Sequence, residues 1–574
     1  MAVIGLRYLL SYPLPDNALV WFYDVVAYIG QFTLLGFAQM LVVALPIVVL
    51  PRPRIIKPLA VMLAAAMLAL LLLDTLVFAK NHFHLNALTV AILGWQSWLF
   101  AGIYFVIFLI GESFLARMVG NWVAASNKRG GPWLATGLIT CVLMTQVLHI
   151  WADARYYVPI TSFSPYLPLF QPMTAKSFLT RHDIIDVAAG RDRGAVATIG
   201  QQDTQRLDYP KQPMRCGVDE QPMNVMLIMV DAMRGDSLRP DWAPAMSQFA
   251  NNASVFEQHF SGGNSSRIGT FSTFYGLPAT YWSDFKGFQR PPVLMNQLQA
   301  NDYQFGLFTS KPLYRTTSMD RTVFAGIPQL PETPTNSEDT ERDQVITDRW
   351  IKWLDQRDQK QPFFGFLFYD SLNYQDFPAD YPLLNPPAND DSKAARDRAD
   401  YPTSLHYVDS LVDRVLDDLQ QRGLLDDTIV IITADHGQEF NENGLGYVGY
   451  GSNYSDYQLH VPLVIHWPGR EPVTVERRTA HRDIPVTLLS RLLGCTNPPD
   501  DYSTGSDLFD GEPWQWLIAG SYSDHAVVES ERVTVVQPGG YFEIRGADYH
   551  LIQDARVHKD VINDALAAMS RFYR

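Results

Sequence analysis

Four apolar segments in the first 151 residues are each long enough to cross a lipid bilayer. They cover residues 25–50, 59–79, 98–119 and 133–151, and a membrane-crossing helix needs about 20 predominantly apolar residues. Nearly all of them lack the polar face that a helix of a soluble core presents to water, and Trp and Tyr residues gather at their edges. The sequence therefore predicts an N-terminal α-helical transmembrane bundle over residues 1–151.

The basic residues of this region indicate how the bundle is oriented. They cluster in two short loops, one with Arg52, Arg54 and Lys57 and one with Arg117, Lys128 and Arg129. Because loops rich in Lys and Arg stay on the cytoplasmic side, the chain after residue 151 is expected on the opposite side. In a bacterium that compartment is the periplasm, and the protein would be a multi-pass protein of the cell inner membrane.

Two details of the bundle carry predictions of their own. Residues 2–10 are apolar but have about half the length of a membrane span, and we expect residues 1–10 to be the remnant of an earlier helix that begins upstream. Asp74 lies near the outer end of the second apolar segment. A carboxylate is costly at mid-membrane but tolerable near the interface, so snorkelling to the interface or pairing with Lys80 is favoured over a proton-relay role.

The rest of the chain is acidic. Up to Arg155 there are nine Lys and Arg against five Asp and Glu, so the net charge of −15 leaves −19 for the remaining residues. An acidic surface is repelled by other polyanions and no basic stripe is evident, so nucleic acid is excluded as a partner. The three cysteines do not suit a disulfide scaffold, because Cys141 is intramembrane and Cys216 and Cys495 could form at most one bridge.

Two apolar runs in the second half of the chain end in candidate metal ligands. The run Thr428–Thr433 is closely followed by Asp435 and His436, and the run Asn224–Val230 is followed by Asp231. Each run has the length and composition of a buried parallel strand. Ligands of open α/β sheets collect at the carboxyl ends of strands, and carboxylate with imidazole is a metal-binding combination. The alternative is a helix-capping Asp beside an ordinary loop His.

A Gly-rich stretch, Ser-Gly-Gly-Asn-Ser-Ser-Arg at residues 261–267, supplies a candidate nucleophile. A helix is predicted directly after it, over residues 268–275. Hydroxyls at a helix N-terminus lie beside backbone N–H groups that favour phosphate or sulfate. Ser265 or Ser266 could therefore be a nucleophile, although an N-capping serine is the commoner use. A further candidate, His460, directly precedes an apolar strand predicted over residues 461–467.

Over residues 223–493 the order of the motifs resembles that of the alkaline phosphatase/sulfatase superfamily. The order is a strand followed by Asp, then Gly-Ser-Ser-Arg, then a strand followed by Asp-His-Gly, then His before a strand. Within that superfamily the motifs are most similar to lipoteichoic acid synthases and phosphoethanolamine transferases. The resemblance implies an α/β domain over residues 223–574, with a mostly parallel central sheet flanked by helices. It also implies one divalent metal, Mg, Mn or Zn, that activates a hydroxyl group toward a phosphoryl group.

The motifs also assign positions to individual residues. Four carry over as metal ligands: Asp231, Ser265, Asp435 and His436. Ser265 also takes the catalytic position, with Ser266 as the alternative, and Arg267 and His460 are expected to contact the phosphate or support the site. Sulfatases need a Pro that residues 264–267 lack, so sulfatase chemistry is not expected. A substrate-binding His that relatives carry after the strand at 363–369 is also missing, so a metal site could remain without turnover.

Residues 152–222 are predicted to be a juxtamembrane linker that contacts lipid. Two motifs lie between the transmembrane block and the phosphatase-like domain: Trp-Ala-Asp-Ala at 151–154 and Pro-Met-Thr-Ala at 172–175. In this arrangement the chain resembles the YejM/PbgA family of bacterial inner-membrane proteins. That resemblance implies a lipid A phosphate site formed by Met173, Thr174, Ala175, Lys176 and Ser177. Two basic residues of the family are replaced here, which predicts weaker or differently tuned binding. An interfacial amphipathic helix over 175–181 fits the residues equally well.

The family resemblance implies a regulatory function. It predicts a sensor that binds lipid A of lipopolysaccharide at the periplasmic leaflet and controls LpxC-dependent lipid A synthesis, and thereby outer-membrane homeostasis. The implied partner is a membrane-embedded adaptor protein of the LpxC-degradation pathway. The alternative is an enzyme, a metal-dependent phosphatase or phospho-headgroup transferase acting on membrane lipids. A third interpretation is cardiolipin transport, for which the sequence offers no dedicated cavity signal.

The tail beyond residue 521 has no chemical motif. It alternates short strand-like runs at residues 525–528, 532–536 and 541–545 with a final helix predicted over 559–572. We expect these strands to complete the edge of the central sheet.

Overall fold

The computed structural model describes residues 1–12, 17–49, 53–81, 83–125, 131–154, 157–161, 163–173, 207–217, 222–312, 317–328, 330–334, 339–386, 392–537 and 540–573. The chain forms two compact units. One comprises Met1–Asp208 with Ser570–Arg574, and the other comprises Tyr209–Met569. The boundary between residues 208 and 209 lies inside the predicted linker.

The first unit is built from helices. Their bounds are α1 Ala2–Gly5, α2 Ala18–Val49, α3 Pro53–Asn81, α4 Ala87–Ile92, α5 Trp95–Ala125, α6 Gly131–Ala154 and α7 Val158–Thr161, with 3-10 turns at Leu6–Ser11 and Ser164–Tyr166. Among the described residues, α2, α3, α5 and α6 are long and apolar enough to cross a membrane. Each coincides with one of the four predicted segments, so the prediction of four apolar helices is confirmed.

The surface of this unit has the character that lipid contact requires. Large apolar side chains along α5, such as Ile103, Ile110 and Phe114, are exposed. A continuous apolar surface of this kind would be unfavourable in water, whereas lipid tails cover it at little cost. Inside the unit, aromatic rings of Tyr8, Phe78 and other residues form a buried core.

Asp74 of α3 has other partners than the expected one. It accepts hydrogen bonds from the Tyr8 hydroxyl and from the backbone N–H of Leu85, and its Oδ2 lies 2.7 Å from His84 Nδ1. The predicted pairing with Lys80 is therefore wrong. Residues six apart on a helix point to different sides, since each residue advances by about 100°, and the partners of Asp74 come from outside α3.

The second unit is built around a mostly parallel sheet. Its strands, with those of two smaller sheets, are β1 Asn224–Val230, β2 Ser254–Phe260, β3 Gln304–Thr309, β4 Phe363–Tyr369, β5 Thr428–Thr433, β6 Glu439–Phe440, β7 Val448–Gly449, β8 Leu463–His466, β9 Thr474–Ala480, β10 Leu517–Gly520, β11 His525–Val528, β12 Arg532–Val536 and β13 Phe542–Gly546. The central sheet has the order β3-β4-β1-β5-β8-β2-β9. Strand β8 runs antiparallel to both neighbours, and the other pairings are parallel.

Helices flank this sheet, so the predicted α/β fold is confirmed. Their bounds are α8 Pro244–Ala250, α9 Ser266–Tyr275, α10 Trp282–Phe288, α11 Val293–Ala300, α12 Arg342–Gln356, α13 Ser371–Tyr374, α14 Lys393–Gln421, α15 Asp456–Leu459, α16 Asp483–Thr487 and α17 Lys559–Ser570. Short 3-10 turns lie at Ala279–Tyr281, Met319–Arg321, Asp339–Glu341, Leu425–Asp427 and Pro499–Asp501, and a π-turn lies at Leu488–Leu492.

Burial on both faces explains why the central strands are continuous apolar runs. Every residue of β1, β4 and β5 is buried, as expected for parallel strands that helices cover on each side. Helices α12 and α14 contribute Trp350, Leu405 and Val412 to a buried core cluster that also contains residues of β1, β4 and β5. Burial of each such side chain stabilises the fold by about 1.5–3 kcal/mol. This packing fixes the strand ends at which the candidate ligands lie.

The tail strands do not complete the central sheet, contrary to expectation. Strands β11 and β12 have the predicted bounds and β13 is shifted by one residue, but with β10 they form a separate four-stranded antiparallel sheet. Short connections favour pairing between successive antiparallel strands. Side chains such as Val528, Val533 and Val535 then bury themselves in their own core cluster, so the central sheet keeps β3 and β9 as its edges.

One disulfide joins the segment before β1 to the end of the sheet region. It connects Cys216 with Cys495, which are 279 residues apart in sequence, and Cys141 of α6 is free. The single bridge left open by the sequence is therefore formed. A bridge that closes a long loop restricts the unfolded chain and commonly contributes about 2–5 kcal/mol.

We expect one reactive thiol per chain in the unfolded protein without reductant, and three after reduction. The change follows from the Cys216–Cys495 bridge, and maleimide labelling in denaturant with mass spectrometry measures it. The double variant Cys216→Ser/Cys495→Ser should unfold at a lower temperature than the oxidised wild type, whereas Cys141→Ser serves as the control. Three reactive thiols before reduction would contradict the bridge.

Candidate metal centre

Four neighbouring parallel strands end at one edge of the sheet, and each is followed by a charged residue. In the order of the sheet, Lys311 lies two residues after β3, Asp370 follows β4, Asp231 follows β1 and Asp435 lies two residues after β5. The carboxyl ends of parallel strands meet at the same edge, so the fold brings together side chains that are up to 204 positions apart. This edge is the candidate site.

Asp231, Asp435 and His436 form a compact group of possible metal ligands. One ligand atom from each lies within 4.8 Å of the others, and all three residues are buried. His436 Nε2 is 3.3 Å from Asp231 Oδ1 and 3.5 Å from Asp435 Oδ2. The structure therefore brings three of the four predicted metal ligands together, from two strand ends that are far apart in sequence.

Backbone contacts hold these side chains in place. The backbone N–H groups of Ala232 and His436 donate to Asp435 Oδ1 at 3.2 and 2.9 Å, and Ala232 adopts a left-handed φ of 63°. A non-glycine residue in that region stores strain that the surrounding contacts must offset. Helix α9 approaches so closely that a Cβ on Gly269 would lie 1.9 Å from the Asp435 carbonyl oxygen. Glycine is therefore required at that helix position.

His436 is oriented for metal binding. Its Nδ1 lies 2.8 Å from the Gly437 carbonyl oxygen, and a carbonyl accepts only from a protonated ring nitrogen. The proton is thus placed on Nδ1, which leaves the lone pair of Nε2 directed toward the two carboxylates. The ring of Tyr450 stacks on the imidazole with centroids 4.5 Å apart, which limits its rotation.

The donor set fits a divalent cation. Asp231 Oδ1 and Asp435 Oδ2 are buried and accept no hydrogen bond within the described residues. Buried polar atoms without partners are costly, and both oxygens face Nε2 of His436. One imidazole and two carboxylates are suitable ligands for Zn, Mn or Mg. These three residues would hold the metal, and its identity is left open by the ligand types.

Ser266 lies in the site, and Ser265 does not. Ser266 Oγ is 3.3 Å from Asp231 Oδ2 and 3.4 Å from His436 Nε2. Ser265 is the residue before α9, in an extended conformation, and its Oγ is buried with no hydrogen bond to the described residues. Ser266, the alternative assignment, is thus the hydroxyl that faces the possible metal ligands, and the catalytic role of either serine stays a prediction.

Lys311, which no sequence motif indicates, lies beside Ser266. Its ammonium makes a close ion pair with Asp231 Oδ2, lies 3.0 Å from Asp370 Oδ1 without hydrogen-bond alignment, and donates to Ser266 Oγ at 3.2 Å. The side chain is buried, with 8% of the residue exposed. Lys311 and Asp370 follow apolar strands just as Asp231 does, so the same strand-end rule would have found both.

The pKa shifts show that negative charge dominates the site. Burial alone would lower the pKa of Lys311, but Asp231, Asp370 and Asp435 outweigh it and hold that pKa well above its usual value. Burial raises the pKa of Asp370 to about 7, against the opposing effect of Lys311. Burial and the neighbouring Asp435 raise the pKa of Asp231. Carboxylates forced together in this way favour an additional cation.

Two further predicted residues lie outside this group. His460 Nε2 lies 2.8 Å from the Glu257 carbonyl oxygen of β2, and the ring packs against Gly235. Its expected phosphate contact stays a prediction. Its carbonyl oxygen accepts from the Gly235 N–H at 2.9 Å, which supports the loop after Asp231. The guanidinium of Arg267 lies over the rings of Trp282 and Tyr522.

The predicted lipid segment is described only at its first residue. Met173 donates its backbone N–H to Gln146 Oε1 at 2.8 Å, and its carbonyl oxygen lies 3.1 Å from His149 Nδ1. Both partners belong to α6, so the start of the segment is fixed to the fourth apolar helix. The remaining predicted residues lie outside the described residues: Thr174, Ala175, Lys176 and Ser177.

Two family models match the chain in succession. A domain of unknown function, DUF3413, covers residues 1–216, and the sulfatase family covers residues 223–495. Inner membrane protein YejM of Salmonella typhimurium is 27% identical over 592 residues, which cover 99% of this chain and 94% of that protein. The chain is a close to full-length homologue of inner membrane proteins named YejM. The match extends across both units, so the apolar helices and the α/β domain are shared with YejM.

Other relatives share all or part of this organisation. An uncharacterized protein of Haemophilus influenzae is 28% identical over 545 residues, which cover 92% of this chain and 86% of that protein. Lipoteichoic acid synthase 2 of Bacillus subtilis is 31% identical over 158 residues, which cover 26% of this chain and 24% of that protein. The likeness to YejM is therefore nearly full-length, whereas the likeness to the synthase is confined to a segment.

His436→Ala is expected to weaken binding of Mn²⁺ or Zn²⁺ by roughly tenfold or more, because it removes the only imidazole whose nitrogen faces both described carboxylates. His460→Ala is the matched control, since that ring binds the Glu257 carbonyl oxygen instead. Isothermal titration calorimetry on the full-length protein in detergent measures both. Equal losses in the two variants would contradict the assignment of the ligands.

Proposed function

We propose that this protein is an inner-membrane sensor of lipopolysaccharide that binds lipid A and regulates LpxC-dependent lipid A synthesis. The nearly full-length relationship to YejM carries the proposal, because the implied function needs both the membrane helices and the segment that follows them. The hydrogen bonds from Met173 to Gln146 and His149 add a structural reason. They tether the first residue of the lipid segment to a membrane helix, through which occupancy could be transmitted.

We place the α/β domain in the periplasm. The basic residues between the apolar segments, such as Arg54 and Lys128, favour the cytoplasm, which puts the chain after α6 on the other side. The Cys216–Cys495 disulfide supports this placement, because disulfides persist in the bacterial periplasm and are rare in the reducing cytosol. The lipid segment then lies on the side where the lipid A of newly made lipopolysaccharide leaves the inner membrane.

The partner on the cytoplasmic side is proposed to be a membrane-embedded adaptor of the LpxC-degradation pathway. An exposed apolar helix such as α5 offers a surface that lipid or another membrane helix can cover. Cardiolipin transport, the third interpretation, stays a prediction. In cells, depletion of the protein should change the levels of LpxC and lipopolysaccharide, and unchanged levels would contradict the regulatory proposal.

Lys176→Glu should lower the affinity for lipid A by roughly tenfold, because it replaces an attraction to phosphate by a repulsion. Lys352→Glu, on the exposed face of α12, is the matched control for the charge change. Binding of lipid A to the full-length protein in nanodiscs gives the comparison. If Lys176→Glu binds as tightly as the wild type, the segment is not the lipid site.

A second function is favoured by one specific observation, the position of Ser266 beside Asp231 and His436. We propose that the α/β domain is a metal-dependent hydrolase or headgroup transferase that acts on phosphate esters of membrane lipids. A bound divalent cation would lower the pKa of the hydroxyl and neutralise phosphoryl oxygens. The two functions are compatible, because a sensor of phosphorylated lipid can also process one.

The chain's own residues supply the remaining steps. Ser266 Oγ is the nucleophile, and its attack on phosphorus would form a phosphoserine as the ester alcohol leaves with a proton. Lys311 donates to Ser266 Oγ at 3.2 Å and so stabilises the developing alkoxide. The backbone N–H groups at the start of α9 favour the phosphoryl oxygens. Water or a second alcohol would then release the phosphoryl group from Ser266.

Ser266→Ala should abolish metal-dependent turnover of a phosphate ester, with a loss on the order of a thousandfold, because the nucleophile is gone. Ser265→Ala should retain most activity, since that hydroxyl has no contact with the metal ligands among the described residues. A chromogenic phosphate monoester, with Mn²⁺ or with EDTA, provides the assay. The reverse pattern would make Ser265 the nucleophile, and no turnover with Mn²⁺, Mg²⁺ or Zn²⁺ would leave a binding site only.

A further inference from the structure

Lys311 is a buried cation within the candidate metal centre. Its ammonium is surrounded by the carboxylates of Asp231 and Asp370 and by Ser266 Oγ. A lysine is rarely this buried unless it is paired, and here both of its acidic partners belong to the same strand edge as the metal ligands. The lysine is therefore part of the charge balance of the site.

Asp231 is shared between Lys311 and the possible metal. Its Oδ2 makes the close ion pair with the ammonium, whereas its Oδ1 accepts no hydrogen bond and faces His436 Nε2 at 3.3 Å. A cation bound to Oδ1 would thus lie across a single carboxylate group from Lys311. Two positive charges so close together repel each other strongly when water is excluded.

We propose that Lys311 is a built-in antagonist of the metal, an internal cation that competes for the charge of Asp231 and keeps the affinity for divalent ions low. A bound metal would withdraw charge from Asp231 and so loosen the ion pair between Asp231 and Lys311. Conversely, the ion pair with Lys311 weakens the binding of the metal. The inference rests on the metal site of the second proposed function.

The arrangement has a structural consequence for the metal-free protein. Without any cation, the three carboxylates of Asp231, Asp370 and Asp435 would be buried next to one another, which is strongly unfavourable. Lys311 neutralises part of this charge, so the strand edge stays folded when metal is scarce. The site can therefore exchange its metal with the surroundings without loss of the fold.

Two substitutions of opposite charge effect test the proposal on the full-length protein in detergent at pH 8. Lys311→Met removes the competing cation and should tighten Mn²⁺ binding by roughly tenfold or more. Asp370→Asn removes a neighbouring negative charge, leaves Lys311 on Asp231, and should weaken binding. Lys352→Met, on an exposed helix surface, should leave the affinity unchanged. Calorimetry gives the dissociation constants.

The outcomes distinguish a failure of the antagonism from a failure of the metal site. Tighter binding in Lys311→Met with weaker binding in Asp370→Asn supports antagonism, because a merely structural role of Lys311 would weaken binding in both variants. Equal or weaker binding in Lys311→Met overturns the antagonism and leaves the metal site standing. Absence of Mn²⁺, Mg²⁺ and Zn²⁺ binding in the wild type and both variants overturns the metal site and the antagonism together.

A measurement on the wild type decides the question if Lys311→Met does not fold. Acetylation with a short pulse of acetic anhydride, followed by peptide mass spectrometry, reports how accessible each lysine amine is. Saturating Mn²⁺ should raise the labelling of Lys311 several-fold, because the metal loosens its ion pair, and should leave exposed Lys352 unchanged. Unchanged labelling of Lys311 in protein shown to hold Mn²⁺ would overturn the proposal.

Discussion

The buried carboxylate of Asp231 is the interaction on which the candidate site depends. It lies at the end of a central strand with no exposed surface, where an unpaired charge would be very costly. The structure places Lys311 against one oxygen and His436 near the other. Asp231 therefore requires cations around it, and this requirement joins the loops after four strands into one site.

The parallel register of the sheet makes that convergence possible. Because β3, β4, β1 and β5 run in the same direction, the residues that follow them share one edge. Apolar residues on both faces hold the strands rigidly, and the polar residues are confined to the strand ends. A rigid scaffold with chemistry on its connecting loops keeps ligand atoms within a few ångströms of one another.

The two units contribute different features to the proposed functions. The helical unit provides apolar surface and anchors Met173 through Gln146 and His149. The α/β unit provides a buried candidate metal centre with a hydroxyl beside it. Both proposed functions concern a phosphorylated lipid, so they would use the apolar helices and the candidate metal centre of the same chain.

The sequence by itself determined the features that depend on local pattern. Apolar segment length specified the four long helices, and β-branched or apolar runs specified β1, β4 and β5, with Asp231, Asp435 and His436 as their terminal polar residues. Only the tertiary structure decided between Ser265 and Ser266, because a one-residue step across a helix start turns the side chain to a different side. The tertiary structure also decided that His460 faces β2, that the tail strands form a sheet of their own, and that Lys311 lies in the site. Side-chain direction and strand pairing depend on contacts between residues far apart in sequence, so local pattern does not determine them.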